Sequence, residues 1–165
     1  MTDLKNKSEK MPMTILGKAM LEQELKKLMH EERPSVIKSI EEARSHGDIS
    51  ENAEYDAAKE RQAIIEGRIA DIQTKIALAE VVDIRLIKSD KIVFGATVHI
   101  KDVDTDEESK YQIVGVDEAN VKLGKISILS PLARALIGKK KGDSAIVQSP
   151  KGDKEYEIQS FKFET

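Results

Sequence analysis

The sequence predicts an α+β protein in two parts: an N-terminal antiparallel α-helical coiled-coil hairpin, then a small antiparallel β-sheet domain with one short helix. Three observations predict it. Two apolar seams with heptad-like spacing flank the short polar stretch SHGDISENAEY, residues 45–55. Beyond Leu86 the texture changes to short β-rich runs separated by turn signals. A length of 165 residues accommodates two small units as readily as one ordinary domain.

Residues 1–12, opening MTDLKNKSEK, read as a flexible leader: lysines are present, but no apolar core follows them. The hairpin is expected over 13–84. In its first arm Leu21, Leu25, Leu28, Val36, Ile40 and Ala43 fall on alternating steps of four and three, and Glu32 interrupts the stripe. Thr14 is the expected N-cap, and Gly47 follows the last turn, where a left-handed residue commonly ends a helix. Pro34 lies inside the run and removes one backbone donor, so a kink or local break is expected there. The second arm continues through Tyr55, Ala58, Gln62, Ile65, Ile69, Ile72, Ile76 and Ala79 at the same spacing. A connection this short makes the arms antiparallel neighbours, each about 30 residues and so about 45 Å long. The seam is narrow and the other faces are charged, so the hairpin should protrude rather than sit in a globular core.

Residues 85–91 read as a linker and 92–165 as the globular domain. Its expected strands are IVFGATVHI (92–100), YQIVGV (111–116), ISIL (126–129), AIVQS (145–149) and YEIQSF (156–161). PLARALIG, residues 131–138, is the one clear helix, ended by Gly138.

Composition narrows the function. With 27 basic and 30 acidic residues the net charge is −3, which is not the balance of an autonomous nucleic-acid binder, so any nucleic acid must be met locally. The chain has no cysteine, hence no disulfide, thiolate metal site or cysteine nucleophile, and a cytoplasmic location is expected. No run approaches the roughly 20 apolar residues that span a bilayer. His30, His46 and His99 are scattered, and no nucleophile triad, phosphate-binding glycine loop or zinc spacing is present, so an enzyme acting alone is not expected.

The tip gathers Asp48, Glu51 and Glu54 where like charges repel. Two readings share this spacing. Asp48 can cap the second helix while Glu51 returns the hydrogen bond and Glu54 benefits from the helix start. Alternatively, Asp48 and Glu51 aim oxygen ligands at one hard cation, and magnesium suits a site of one or two carboxylates that keeps several waters. Two exposed carboxylates hold such an ion weakly, so a strong site needs ligands from a partner.

The run HGDISENAEYDAAKERQ (46–62) followed by EGRI (66–69) resembles the tip and descending helix of GreA-type members of the Gre family of bacterial transcript cleavage factors. FGATVHI, DEESKYQIVG and SPLARALIGKKKGD resemble that family's globular domain, and the likeness covers almost everything from Met11 onward. The resemblance implies a non-enzymatic accessory factor whose hairpin enters the secondary channel of bacterial RNA polymerase while the globular domain docks at the rim. There such factors stimulate the polymerase's own cleavage of the extruded 3′ end of nascent RNA in backtracked complexes. By the family's motif, Asp48 and Glu51 form the acidic pair that shares a Mg2+ with the polymerase active site. Arg44 and Lys59 match basic positions around the RNA 3′ end, although a lysine gives a point charge rather than a fork. Tyr55 offers a stacking surface for a base and also falls on the seam. Without the resemblance, Arg44 and Lys59 read as solvated coil charge able to pair with Glu41, Glu42 or Asp56.

Ser130, Pro131 and Arg134 resemble the docking surface at the polymerase rim, while Ser130 and Pro131 are also a natural N-cap and first helical residue. The domain's outline is FKBP-like, which raises prolyl isomerase activity. Against it, tryptophan is absent and Phe94, Tyr111, Tyr156, Phe161 and Phe163 are few from which to build an aromatic pocket. A monomer that meets no membrane is expected. The modest basic content of the hairpin favours release of short RNA fragments, the GreA rather than the GreB habit. Two alternatives carry the same shape: a channel factor that inhibits polymerase, and a coiled-coil adaptor whose tip acids only cap.

Overall fold

A computed structural model describes residues 10–47 and 52–164. Strand β1 (Met11–Thr14) leads into helix α1 (Ile15–Lys27), a π-helical turn (Leu28–Glu32) and helix α2 (Arg33–Ser45). Helix α3 (Ala53–Leu78) returns and runs into β2 (Ala79–Val82). There follow β3 (Thr97–Asp102), β4 (Glu108–Val114), β5 (Lys125–Ser127), helix α4 (Pro131–Leu136), β6 (Ser144–Val147) and β7 (Lys154–Lys162). The described chain forms two compact units, Lys18–Ala79 and Lys10–Gly17 with Glu80 onward.

In the helical unit the seam is as the spacing predicts. Leu21, Val36, Ile40 and Ala43 are buried from one arm, and Ala58, Ile65, Ile69 and Ile72 from the other. Val36, Ile65 and Ile69 form a cluster on which Leu25, Leu28 and Met29 pack. Pro34 stands in the first turn of α2, and the break it forces is the π-turn just before it, where the Arg33 N–H reaches the Leu28 carbonyl. The wider turn relieves a ring that would otherwise press on the carbonyl four residues back. Glu32, the interruption in the stripe, meets Arg61 of the opposite arm at 2.8 Å.

Two more ion pairs cross between the arms. Arg33 grips Glu66 with Nε–Oε1 at 2.7 Å and Nη2–Oε2 at 2.9 Å, and Arg68 grips Glu24 at the same two distances. These bidentate bonds hold the Glu24 and Glu66 carboxyls below their ordinary pKa, first through the guanidinium hydrogen bonds. Carboxyls depressed in the folded state contribute stability above their unfolded values and lose it as pH falls through the folded ones. The hairpin is therefore expected to melt at lower temperature below about pH 4 than at neutral pH, measured by circular dichroism at the helical band. The effect is modest and shrinks in high salt, because the pairs are solvent-accessible.

The globular unit holds a five-stranded sheet in the order β5-β4-β3-β7-β6. β3 pairs antiparallel with β4, Thr97 opposite Gln112, and with β7, Thr97 opposite Lys162, with a register shift between His99 and Ile100. Ile92, Ala96, Val98, Ile100, Ile113, Ile126, Ala133, Leu136, Ala145 and Ile158 form its core, so alternate strand residues and one face of α4 close on each other. Tyr111, Tyr156, Phe161 and Phe163 pack against that core, which uses most of the unit's aromatic surface.

Three sequence expectations are corrected. The sheet is not wholly antiparallel: β5 runs parallel to β4, with Gln112 opposite Lys125. The link between them is no tight hairpin but a segment with 3-10 turns at Val116–Glu118 and Val121–Leu123, reversed at Gly124 with φ +71°. The strand expected from Ile92 begins at Thr97, because Gly95 turns the chain at φ +92° and donates to the Ile113 carbonyl. Met11 and Pro12, assigned to the leader, belong to β1, which pairs with β2 in a two-stranded sheet. Lys10–Gly17 and Glu80–Ile84, placed in the leader and hairpin, thus lie in the globular unit, as do the linker residues 85–91. Residues 1–9 of the leader lie outside the described residues. Among the described residues no helix is long and apolar enough to cross a membrane.

Thr14 caps α1 as expected, its Oγ1 accepting from Gly17 N at 3.0 Å. The buried Glu118 joins it: its carboxylate accepts from Thr14 N at 3.2 Å, from Thr14 Oγ1, and from Gly115 N at 3.4 Å. Four otherwise orphaned groups near the start of α1 and the turn at Gly115 are satisfied by two side chains.

Candidate functional site at the hairpin tip

Asp48 and Glu51, the proposed metal pair, lie outside the described residues, and the structure describes the chain up to Gly47 and from Asn52 onward. On the incoming side α2 ends at Ser45. His46 N donates to Ala43 O at 3.3 Å, and Gly47 takes φ +104°, the left-handed residue expected there. On the outgoing side the capping expectation is corrected. The N-cap of α3 is Asn52, whose Oδ1 accepts from Glu54 N at 3.1 Å and Tyr55 N at 3.2 Å. Neither Asp48 nor Glu51 holds the cap position, and Glu54 and Asp56 supply the first-turn acids. Asn52 also donates from Nδ2 to Ala43 O at 2.6 Å, so its one amide joins the last turn of α2 to the first of α3.

Directly beside this link the arms meet again. The Arg44 guanidinium lies over the Tyr55 ring, 5.8 Å from its centroid. Tyr55 is half-buried, so its expected packing role is met, and Arg44 is exposed. Lys59, one helical turn beyond Tyr55 and exposed, bonds Gln62 Oε1 at 3.1 Å. Arg44, Tyr55 and Lys59 thus share one region beside the tip, while His46 caps α2. Among the described residues no group of three or more His, Asp or Glu is placed to hold a metal ion.

In the globular unit Ser130 caps α4, its Oγ accepting from Ala133 N at 3.2 Å and donating to Ser127 O at 2.7 Å. Ala133 and Leu136 face the core, leaving Pro131 and Arg134 exposed. The capping expectation for Ser130 is met, and the helix still presents two of the three proposed docking residues to solvent.

Sequence reasoning missed Asn52, although its signal was present: an asparagine directly before a helical run with acids in its first turn is a strong capping pattern. It was masked by the neighbouring D-x-x-E, which fits the same rule.

A helical hairpin with an acid-rich connection, followed in the chain by a small β unit, is the organisation of a class of transcription elongation factors, and two family models match it. "Transcription elongation factor, N-terminal" matches residues 11–81, and "Transcription elongation factor, GreA/GreB, C-term" matches 87–163. The chain belongs to the GreA/GreB family of transcription elongation factors. It is 58% identical over 150 residues to the transcription elongation factor GreA of Hyphomonas neptunium, covering 91% of this chain and 96% of that one. To the GreA of Trichlorobacter lovleyi it is 57% identical over 157 residues, covering 95% and 99%. Among solved structures, GreA factor homolog 1 of Thermus thermophilus aligns over 92% of this chain and 98% of that one, at 27% identity and a TM-score of 0.43.

Proposed function

We propose that the chain is a transcript cleavage factor: its hairpin enters the secondary channel of bacterial RNA polymerase, and it stimulates the polymerase's cleavage of the 3′ end of backtracked nascent RNA. Family membership supports the reading. The observation that carries it is the Arg44 guanidinium over the Tyr55 ring with Lys59 one helical turn on, so the basic and aromatic residues of the family's motif share one region beside the tip. Two carboxylates three residues apart are a hard-oxygen donor set, which fits magnesium shared with carboxylates of the polymerase. Bound there, the ion supplies an activated water and stabilises charge as the phosphodiester opens. Arg44 and Lys59 neutralise phosphates of the extruded strand, and Tyr55 offers a stacking surface to a base. Pro131 and Arg134, exposed on α4, with Ser130 fixing the helix start, dock at the channel rim. The factor contributes ligands and position and the polymerase the nuclease, so it is not an enzyme alone.

The test is a stalled, backtracked polymerase complex carrying 3′-labelled RNA with magnesium. Addition of the factor is expected to release short labelled fragments well above the polymerase's own rate. Binding without added cleavage would make the protein a channel blocker or adaptor.

A further inference from the structure

We infer that the globular unit carries a small-molecule site for a compact apolar monocarboxylate, an aryl or branched-chain acid, in a cavity between the start of α1, the turn after β2 and the β4–β5 edge of the sheet. The inference does not depend on the cleavage reading.

The cavity holds about 170 Å3, and Ile15, Leu16, Val82 and Ile84 supply its apolar walls, with Gln112 and Lys125 beside them. All six residues belong to the globular unit. A cavity of about 150 Å3 with aliphatic and aromatic walls is enough to hold a benzene ring. One wall is fixed in advance: a Cβ at Gly95 would fall on Cγ2 of Ile84, so Ile84 sits against bare backbone and is 5% exposed. Ile15 and Leu16 are 48% and 56% exposed, and they carry the apolar lining out to solvent.

Charge selects the ligand. Three charged side chains line the cavity, and two of them already have partners. Asp83 accepts from Arg85 N at 3.1 Å, Nε at 3.0 Å and Nη2 at 2.9 Å. Glu118 accepts from Thr14 and from Gly115 N. The third, Lys125, is half-buried, and among the described residues its ammonium has no hydrogen-bond or ion-pair partner. A partly desolvated ammonium beside aliphatic walls is costly alone, and an anion relieves it. Gln112 stands opposite Lys125 across the parallel β4–β5 pair, and its Nε2 gives one N–H to Gly95 O at 3.5 Å, which leaves the other for an acceptor. A carboxylate placed there receives Lys125 and Gln112 while its apolar body lies against Ile15, Leu16, Val82 and Ile84. A second carboxylate would face Asp83 and Glu118, and an amine would meet Lys125 with both acids occupied, so a monoanion is the charge that fits.

The experiment titrates the full 15N-labelled chain with sodium benzoate, benzyl alcohol and benzylamine at matched ionic strength and reads amide shifts by NMR, with NOEs from the ring to protein methyls. Benzoate is expected to bind with a Kd on the order of a millimolar, the affinity open to so small a ligand, and at least about fivefold tighter than the alcohol or the amine. Shifts should centre on Leu16, Ile84 and Lys125, with NOEs to the Val82 and Ile84 methyls. Lys125→Met keeps an apolar stem and removes the ammonium, so it should weaken benzoate about fivefold or more and leave benzyl alcohol unchanged. Leu16→Asp sets a carboxylate beside the ammonium, at a helix start that tolerates acid, and should abolish benzoate binding with the spectrum otherwise preserved. The inference is overturned if benzoate shifts scatter over surface lysines without NOEs into the cavity. It is overturned equally if benzyl alcohol or benzylamine binds as tightly as benzoate, or if folded Lys125→Met binds benzoate like the wild type.

Discussion

Asp48→Asn/Glu51→Gln is expected to bind RNA polymerase like the wild type and return cleavage of backtracked RNA to the polymerase's basal rate. Both substitutions remove charge while nearly conserving size, and both keep an oxygen at each position. What they remove is the pair of negative charges proposed as ligands. Groups that stabilise charge in a water-poor active site cost about a hundred- to a thousandfold when deleted, so the loss of stimulated cleavage should be of that order. Folding should not follow, because the cap of α3 is the Asn52 amide and the first-turn acids are Glu54 and Asp56. Unchanged helicity, unchanged competition for polymerase and a lost rate together assign the acids to metal ligation. Residual cleavage should also need more magnesium than the wild type, since the site loses ligands as well as rate. Wild-type cleavage by the double variant would leave the acids without a ligand role.

The hairpin was legible because its evidence is periodic. Seam positions from Leu21 to Ile72 obey one spacing over many turns, and the structure buries or half-buries them. Pro34 announced a break and Gly47 an end, each through a backbone property visible in a single letter. What the sequence hid is non-local or short. β1 and β2 are four residues each, too brief to show alternation, and they are brought together only by the return of the hairpin. The parallel pairing of β5 with β4 depends on how the turns after Gly115 fold, which no local pattern encodes. At the tip the rule was right and the residue wrong: Asp48 and Asn52 are both good caps, and only the start of α3 at Ala53 chooses between them. Arg44 and Tyr55, singled out separately, proved to be in contact across the arms, which neither helix pattern alone contained.

Glu118→Ala is expected to be strongly destabilising for the globular unit, and Glu118→Gln nearly silent. Glu118 lies in a short 3-10 turn after β4, 8% exposed, with no sequence signal to separate it from any surface acid. Its carboxylate receives Thr14 N, Thr14 Oγ1 and Gly115 N. Truncation leaves these donors facing a void, and unsatisfied buried donors cost roughly 1–3 kcal/mol each before water relieves part of it, so a loss of about 3 kcal/mol is expected. Glutamine can turn its oxygen to the two backbone donors and its NH2 to the Thr14 hydroxyl, limiting the cost to under about 1 kcal/mol. Gly17 gives an independent check. A Cβ there would fall on Cγ and Cδ of Glu118, so Gly17→Ala must expel the carboxylate and should cost about as much as removing it, although alanine favours a helix over glycine by about 1 kcal/mol. In Glu118→Ala/Gly17→Ala the clash is gone, and the second substitution should add no further loss and regain part of the first through helix propensity. Calorimetric melting of the four proteins would read this as a strongly non-additive cycle. Additive losses instead would mean that Gly17 is constrained by something other than the Glu118 side chain.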